Sequence, residues 1–394
     1  MPRSLRCQSC DAAGLREFYL VERVPVHSNL LLADRDEALA QPTGELRLAL
    51  CGACGFVQNV AYDPALQDYS ESYEDAQAFS PRFLAFQDEL IAGLIARHGL
   101  RGSRVLEIGC GRGDFLARLC ELADAQGVGY DPAFRASEVS ARAAGRIEFR
   151  RKLFSRGEPA PDFDLLCCRH TLEHVAAVRE FVETVRASLD DRKQAIVYFE
   201  VPDLGRILHE EAFWDLYYEH CSYFTRGSLA RLFERCGFEI LRLEKGFEGQ
   251  YLLLEARAGA QGGARAEGEG ATERPALADL VERFRVRVGE RLAVWRGRLA
   301  EWQREGRRVV LWGAGSKASG FLTTLGVGDE VAAIVDINPR KQGMFQSGTG
   351  HPIVAPKTLP TLRPDVVVVM NPVYCEEIRR ELAEMSLTPR IECL

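Results

Sequence analysis

Hydrophobic and polar residues along the middle of the chain fall into short alternating blocks. Buried parallel strands are short apolar runs, and the helices between them repeat their apolar positions every three to four residues. The pattern here predicts an α/β fold with a parallel sheet, closed by an antiparallel pair of strands. The predicted strands lie at 104–108, 127–131, 147–149, 164–168 and 195–202, followed by the closing pair at 238–243 and 251–256.

A second α/β pattern occupies the last third of the chain. A stripe of apolar residues at helical spacing predicts a long helix, and predicted strands follow it at 308–312, 332–336 and 366–370. Before the helix, residues 259–274 are rich in glycine, alanine and charge, which predicts a flexible linker. We therefore place three domains at 1–70, 71–258 and 275–394, with the linker at 259–274.

Composition and charge exclude several classes of protein. A length of 394 residues suggests two or three domains, and 46% hydrophobic with 27% charged residues is typical of a globular chain. A net charge of −7 argues against a broad basic surface for nucleic acid. The sequence has neither an apolar run that could span a bilayer nor an apolar leader. We expect a cytoplasmic protein without membrane contact, whose 12 cysteines are reduced thiols.

Four of the cysteines form two Cys-x-x-Cys pairs, Cys7 with Cys10 and Cys51 with Cys54. Each pair can present two thiolates on one face of a tetrahedron, and together they predict a structural zinc site. The segment between the pairs must then fold back on itself. The alternative is four buried cysteines without metal. His27 is a spare candidate ligand that we expect at the surface instead.

The first glycine-rich turn follows the strand at 104–108. Alone, such a turn fits either a dinucleotide or S-adenosylmethionine. An acidic residue before the turn and a second acid at the end of the next strand, placed to bind ribose hydroxyls, favour S-adenosylmethionine. An unoccupied sheet edge is the alternative. The candidate cofactor-binding residues are Glu107, Gly109, Gly111, Gly113 and Asp131.

Two segments with histidines follow later strands of the same sheet. The loop after the fourth strand carries His170 and His174, at the edge where open α/β sheets bind ligands. An aromatic segment between the fifth and sixth strands contains Tyr217, Glu219 and His220. Histidine can act as a general base near neutral pH, and a tyrosine hydroxyl can stabilise an enolate. The alternative is an aromatic loop that packs a helix against the sheet.

The second glycine-rich turn contains Gly313, Gly315 and Lys317, and Asp336 ends the next predicted strand. This pattern is similar to a dinucleotide fingerprint, so bound NAD is one candidate. The imperfect glycine spacing and Lys317 favour a phosphate-bearing ligand, with the diphosphate or nucleotide of a substrate held at a helix N-terminus. An empty scaffold is a third alternative.

In combination, these motifs resemble the three-domain, S-adenosylmethionine-dependent sugar C-methyltransferases. Members of that family carry an N-terminal zinc-binding domain, a class I methyltransferase core and a Rossmann-like C-terminal domain. The resemblance covers essentially the whole chain. It rests on the two cysteine pairs, on the turn from Glu107 to Gly113, on Tyr-x-Glu-His-x-x-Tyr-Phe at 217–224 and on Gly-Ala-Gly-Ser-Lys at 313–317.

The resemblance implies methylation of C3 of a nucleotide-linked 4-keto-sugar by base-assisted formation of an enolate. The cofactors that it implies are S-adenosylmethionine and a structural zinc ion. The implied catalytic residues are His220 as the base, Glu219 and Tyr217 beside it, His174, and Tyr73 from the segment before the central domain. His170 is predicted beside the cofactor.

The chain departs from the family at Cys221 and at Arg169-His170. These departures leave the identity of the acceptor open. A methyltransferase of a different small molecule, acting at carbon or hydroxyl, is the first alternative. A zinc-containing scaffold that binds a nucleotide without chemistry is the second.

Overall fold

The computed structural model describes residues 5–67, 74, 79–143, 145–157, 160–190, 192, 194–259 and 267–394, with side chains from 274 onward in the last range. These residues form three sheets, one for each predicted domain. Within the same ranges, none of the helices combines the length and the apolar character that crossing a bilayer requires.

The N-terminal unit is an antiparallel sheet. Its elements are β1 (Arg16–Pro25), α1 (Arg35–Leu39), β2 (Thr43–Leu50), β3 (Val57–Asn59) and, from the aromatic segment of the central unit, β9 (Ser222–Tyr223). β1 and β2 form the predicted fold-back between the cysteine pairs, and β3 follows β2 in the sheet. β9 completes the sheet by pairing with β3, so the aromatic segment is held between two units.

The central unit is a seven-stranded sheet. Its strands are β4 (Arg104–Ile108), β5 (Gln126–Tyr130), β6 (Ile147–Arg150), β7 (Leu165–Arg169), β8 (Ile196–Pro202), β10 (Phe238–Gly246) and β11 (Tyr251–Ala258). Its helices are α2 (Pro81–His98), α3 (Asp114–Ala123), α4 (Glu138–Arg142), α5 (Val178–Ala187), α6 (Leu204–His209) and α7 (Arg226–Arg235).

The strand order of this sheet is β10-β11-β8-β7-β4-β5-β6. β4 to β8 are parallel, whereas β11 runs antiparallel to both β8 and β10. Side chains of β7 alternate between two cores, with Leu166 and Cys168 on one face and Leu165 and Cys167 on the other. Because both faces are covered, the strand is apolar up to Arg169 at its carboxyl end. The predicted class I methyltransferase fold is confirmed.

The C-terminal unit is a second, smaller Rossmann-like domain, also as predicted. Its elements are α8 (Glu267–Arg304), β12 (Val309–Trp312), α9 (Ser316–Leu325), β13 (Ala333–Val335), β14 (Ile353–Val354), α10 (Leu359–Leu362), β15 (Val366–Val369), α11 (Cys375–Glu384) and β16 (Arg390–Cys393). All five strands are parallel, in the order β14-β13-β12-β15-β16.

The long helix α8 joins the three units. Its buried side contains Phe284, Trp295 and Trp302, and it contacts β1, α6 and α9. One hydrophobic core therefore includes residues from all three units. The helix begins at Glu267, inside the predicted linker at 259–274, of which 260–266 lie outside the described residues. Alanine and glutamate between the glycines favour helix, so the linker prediction was too long.

Two cysteines depart from the expectation of reduced thiols. Cys375, at the start of α11, and Cys393, at the end of β16, form a disulfide with their Cα atoms 6.7 Å apart. β16 lies beside β15, and the chain after β15 leads into α11, so the fold brings the two residues together. The expectation that all 12 cysteines are reduced was wrong for this pair.

Candidate active site

A cavity of about 730 Å³ lies where the three units meet. Ligand pockets for small molecules commonly have this size. The turn after β4, the loop after β7, the aromatic segment and the turn after β12 all contribute to its lining. Parallel α/β sheets bind ligands at the carboxyl ends of their strands, and both sheets present that edge to this cavity.

The first glycine-rich turn is shaped for close approach to the backbone. Gly109 and Gly111 line the cavity and have φ of +70° and +53°. A Cβ on Gly109 would lie 2.0 Å from Thr171 Oγ1, whereas a Cβ on Gly111 would stand in open space. Asp131 fixes the turn, because its Oδ2 accepts a hydrogen bond of 2.9 Å from the Gly111 amide. Asp131 thus ties the turn to the next strand, and at Gly109 and Gly111 the turn presents bare backbone to the cavity.

Glu107 supplies a buried carboxyl group at the base of this turn. It lines the cavity with 2% of its surface exposed, and Oε2 has no hydrogen-bond partner among the described residues. Burial, strengthened by the carboxylates of Asp131 and Asp114, raises the pKa of Glu107 to about 8. A cation bound beside Glu107 would favour its ionised form.

Gly113, the third glycine of the predicted cofactor set, is not among the cavity-lining residues. It precedes α3 with φ of +78°, and a Cβ there would lie 2.5 Å from Phe149. Its role in the structure is close packing of α3 against the sheet, which a side chain would prevent.

His170 belongs to a buried charge network at the ends of β7 and β8. Its Nε2 lies 3.0 Å from Glu200 Oε1, and Arg169 Nε donates to Glu200 Oε2 at 2.7 Å. Burial disfavours charge on both partners, but their attraction outweighs it. The pKa of His170 is raised to about 9, and that of Glu200 lies below its usual range. His170 also lines the cavity, and its place beside the cofactor stays a prediction.

The aromatic segment brings His220 to the cavity, where it lies beside Tyr217, His174 and Glu173. The His220 ring centre lies 4.2 Å from that of Tyr217 and 4.8 Å from that of His174. Glu173 belongs to the same cluster, because a carboxylate oxygen of Glu173 and ring nitrogens of His174 and His220 lie within 4.8 Å of one another. Burial, followed by the nearby His174, lowers the pKa of His220 well below its usual value. His220 is therefore neutral at physiological pH and can accept a proton.

Glu219, the other half of the Glu-His pair, is buried but does not line the cavity. Its carboxylate accepts a hydrogen bond from Ser28, and Oε1 lies 3.4 Å from His27 Nδ1. Ser28 Oγ also lies 2.8 Å from Ser316 Oγ at the start of α9, where Ser316 is the donor because the Ser28 proton is used by Glu219. Glu219 therefore connects the aromatic segment to the N-terminal and C-terminal units. His27, which we expected at the surface, is 7% exposed because this contact covers it.

The second glycine-rich turn faces the same cavity. Gly313, Gly315, Lys317 and Asp336 all line it. Asp336 Oδ2 accepts a hydrogen bond of 2.7 Å from the Ala314 amide. The ammonium of Lys317 pairs with Asp215, so the structure gives this lysine a carboxylate partner within the protein. Its predicted contact with a phosphate stays a prediction.

The four paired cysteines converge in the N-terminal unit. Cys7 Sγ lies 3.6 Å from Cys54 Sγ, and Cys10 Sγ lies 3.6 Å from Cys51 Sγ. Tetrahedral zinc with Zn–S bonds of about 2.3 Å separates its sulfurs by about 3.8 Å, so the four thiols fit such an ion. Each pair is closed by a backbone hydrogen bond of 2.8 Å, from Asp11 to Cys7 and from Gly55 to Cys51.

Comparisons with known proteins agree with this geometry. A family model described as a methyltransferase domain matches residues 82–243, and one described as a C-methyltransferase C-terminal domain matches residues 269–388. The chain is also similar to C-methyltransferase NovU of Streptomyces niveus, with 26% identity over 94% of this chain and 90% of that protein. The chain is thus similar to C-methyltransferases over most of its length. It is an enzyme that depends on S-adenosylmethionine.

Solved methyltransferases resemble this C-methyltransferase over part of its length. The 1,6-didemethyltoxoflavin-N1-methyltransferase of Burkholderia thailandensis is 22% identical, covering 45% of this chain and 79% of that one, with a TM-score of 0.37. Magnesium protoporphyrin IX methyltransferase of Synechocystis is 18% identical, covering 45% of this chain and 84% of that one, with a TM-score of 0.36.

The structure adds site residues of the C-methyltransferase that the motifs did not indicate. Glu200, which pairs with His170 and Arg169, could have been recognised from the sequence, because it is an acid near the carboxyl end of a buried strand. Asn29 and Lys341 line the cavity but lie in loops without a motif of their own. Tyr73, predicted as a catalytic residue, lies outside the described residues.

Proposed function

We propose that this enzyme methylates a carbon next to the ketone of a nucleotide-linked keto-sugar, with His220 as the general base. The observation that carries the proposal is the position of His220. This buried, neutral histidine lines one cavity together with both glycine-rich turns. An acceptor whose nucleotide is bound at the second turn can thus lie between His220 and a methyl donor bound at the first turn.

Glu107, Gly109, Gly111 and Asp131 fit S-adenosylmethionine. The bare turn admits the cofactor close to the backbone, and the Glu107 Oε2 atom, which has no partner among the described residues, suits its amino group. Asp131 is placed to accept hydrogen bonds from ribose hydroxyls. When bound, the cofactor supplies an electrophilic methyl group.

In the proposed mechanism, a ring nitrogen of His220 takes the proton from the carbon next to the ketone. The negative charge that develops moves to the ketone oxygen. Burial, with Asp215 nearby, raises the pKa of Tyr217 well above its usual value, so its hydroxyl keeps its proton and can donate a hydrogen bond to that oxygen. Glu219 acts as a positioning residue, since its carboxylate is bonded to Ser28 rather than facing the cavity.

His220→Ala should lower the rate of the chemical step by roughly 10²–10⁴, the usual contribution of a general base, with little change in donor affinity. His220→Asn should fail as well, because an amide cannot accept the proton. Exchange of the acidic C–H with deuterated water, followed without methyl donor, should stop in both variants, since proton removal precedes transfer.

His174→Ala is the matched control, because His174 lies in the same cluster. It should retain measurable C–H exchange. If His220→Ala exchanges and methylates at near wild-type rates while His174→Ala does neither, the base is on the loop after β7 and our assignment is wrong.

The acceptor requires a direct test, since methyltransferases with similar cores act on many small molecules. Incubation with isotopically labelled S-adenosylmethionine and a panel of nucleotide-linked keto-sugars, followed by mass spectrometry, should give a labelled, carbon-methylated product. Labelling only of an acceptor without nucleotide, or at a hydroxyl oxygen, would favour the alternative of a different small-molecule methyltransferase.

We also propose that the cysteine cluster binds one structural zinc ion. Four protein thiolates leave no open coordination position, and none of the four cysteines lines the cavity. Purified protein should contain about one zinc per chain by elemental analysis. Cys51→Ser should lose the metal and much of its folded fraction, because zinc binding is coupled to folding. Cys110→Ser, at a buried cysteine outside the cluster, should keep the metal. A fully folded, metal-free wild type would contradict the assignment.

A further inference from the structure

Two cationic side chains are buried among the described residues, and they differ in their partners. Arg169 forms an ion pair with Glu200, as described above. Lys341 is 7% exposed, and its Nζ donates to the Ala314 carbonyl at 2.8 Å and to Asn29 Oδ1 at 3.2 Å. Both acceptors are neutral. In the described part of the chain, no carboxylate lies within ion-pair distance of Lys341.

A buried ammonium group without a counter-charge is unfavourable, because its hydration is lost and not replaced by an opposite charge. An ammonium group has three N–H donors, and the two neutral acceptors use two of them. The remaining donor and the uncompensated charge suit an anion that binds from outside the chain.

Lys341 lies where such an anion has room. It lines the cavity together with Gly315 and Ser316, at the start of the ten-residue helix α9. Gly315 caps this helix without a side-chain hydrogen bond, and a Cβ there would meet nothing closer than Asn29 Oδ1 at 4.0 Å. Amide groups at a helix start favour negative charge, so two independent features attract an anion to this place.

Lys317, the lysine of the second glycine-rich turn, differs from Lys341 because its charge is compensated within the protein. Lys317 pairs with Asp215, which also pairs with Arg206, and Arg206 pairs in turn with Glu210 at 2.7 Å. Two cations are thus matched by two carboxylates within the protein. Lys341 is the buried cation that has no such match.

We propose that Lys341 binds a phosphate group of the acceptor at the start of α9 and so selects diphosphate-linked acceptors. This inference rests on the proposed function, because it requires an acceptor that carries phosphate. The ammonium group supplies one charged hydrogen bond, and the first amides of α9 supply neutral ones. Asn29 holds Lys341 in place through its Oδ1.

Lys341→Met keeps the length of the side chain and removes its charge. Isothermal titration with inorganic pyrophosphate and with uridine diphosphate should show affinity at least about tenfold weaker than wild type, the usual effect of losing a hydrogen bond to a charged group. Affinity for S-adenosylhomocysteine should be unchanged. Lys341→Arg should retain most of the pyrophosphate affinity. Lys357→Met, at an exposed lysine of the same domain, is the matched control and should equal wild type.

Gly315→Asp tests the proposal without removing the lysine. The backbone of Gly315 is extended, Asp is a favoured helix cap, and the space in front is open, so this variant should fold. Its carboxylate would neutralise Lys341 and occupy the anion's place, and pyrophosphate binding should be lost. Unchanged pyrophosphate and uridine diphosphate affinity in Lys341→Met or in Gly315→Asp would overturn the inference. The methylation assay on keto-sugars decides the proposed function separately, because its result does not depend on which lysine binds the phosphate.

Discussion

The two glycine-rich turns have the same framework and opposite surroundings. In each, an acid at the end of the next strand accepts a hydrogen bond from an amide of the turn, from Gly111 to Asp131 at 2.9 Å and from Ala314 to Asp336 at 2.7 Å. The first turn lies beside the buried Glu107 and the half-buried Asp114, whereas the second lies beside Lys317 and Lys341. This difference is the one that our proposals require, with a cationic ligand at the first turn and an anionic ligand at the second.

The glycines differ as well. All three glycines of the first turn have positive φ, and a Cβ on Gly109 or Gly113 would collide with a neighbour. At the second turn only Gly313 has positive φ, at +110°, and Gly315 could carry a side chain without a collision. The first turn therefore depends on bare backbone, while the second depends on the side chains around it.

The largest effect should follow a change at the first turn. Gly111→Val should abolish measurable binding of S-adenosylhomocysteine, because the side chain would fill the open space in front of the turn and is strained at φ of +53°. Isothermal titration measures the loss, and circular dichroism checks that the fold survives. Wild-type affinity in a folded Gly111→Val protein would show that the cofactor does not approach this turn.

The framework of both turns was predictable from sequence because it is local. Strand, turn, helix and acid lie within about 30 residues, and their order follows from periodicity and from the backbone conformation that the turn requires. The cysteine pairs were predictable for the same reason, since two ligands of each pair are three residues apart. The sequence also indicated the Glu-His pair between the fifth and sixth strands, although in the structure only His220 lines the cavity and Glu219 does not.

The surroundings of the second turn could not be predicted, because they come from distant parts of the chain. Asn29 meets Lys341 across the junction between the N-terminal and C-terminal units. Asp215, which lies just before Tyr217 in the chain, forms an ion pair with Lys317 and so compensates its charge. Pairing of this kind depends on how the units pack, and no spacing rule within one motif describes it.

An intermediate effect should follow the matching change at the second turn. Gly315→Val should leave affinity for S-adenosylhomocysteine within about twofold of wild type. The KM for a nucleotide-linked acceptor should rise by about tenfold, which corresponds to about 1.4 kcal/mol of lost binding. Steady-state kinetics with the acceptor found in the labelling experiment measures this. If Gly315→Val instead removes cofactor binding and spares the acceptor, the two turns have been assigned the wrong way round.

The smallest effect should appear in the pH dependence, where the second turn acts on the base. His220 must be neutral to accept a proton, so activity falls as the pH falls through its pKa. Burial lowers that pKa, and His174, His170 and Lys317 lower it further. The acid limb of kcat should therefore lie below the usual histidine value of 6.5. Lys317→Met removes one of these positive charges and leaves Asp215 with one cation fewer, so the limb should move to higher pH. Lys357→Met, at an exposed site, should leave it in place. An acid limb above 6.5 in the wild type, or one that moves to lower pH in Lys317→Met, would contradict both the assignment of the base and its electrostatic link to the second turn.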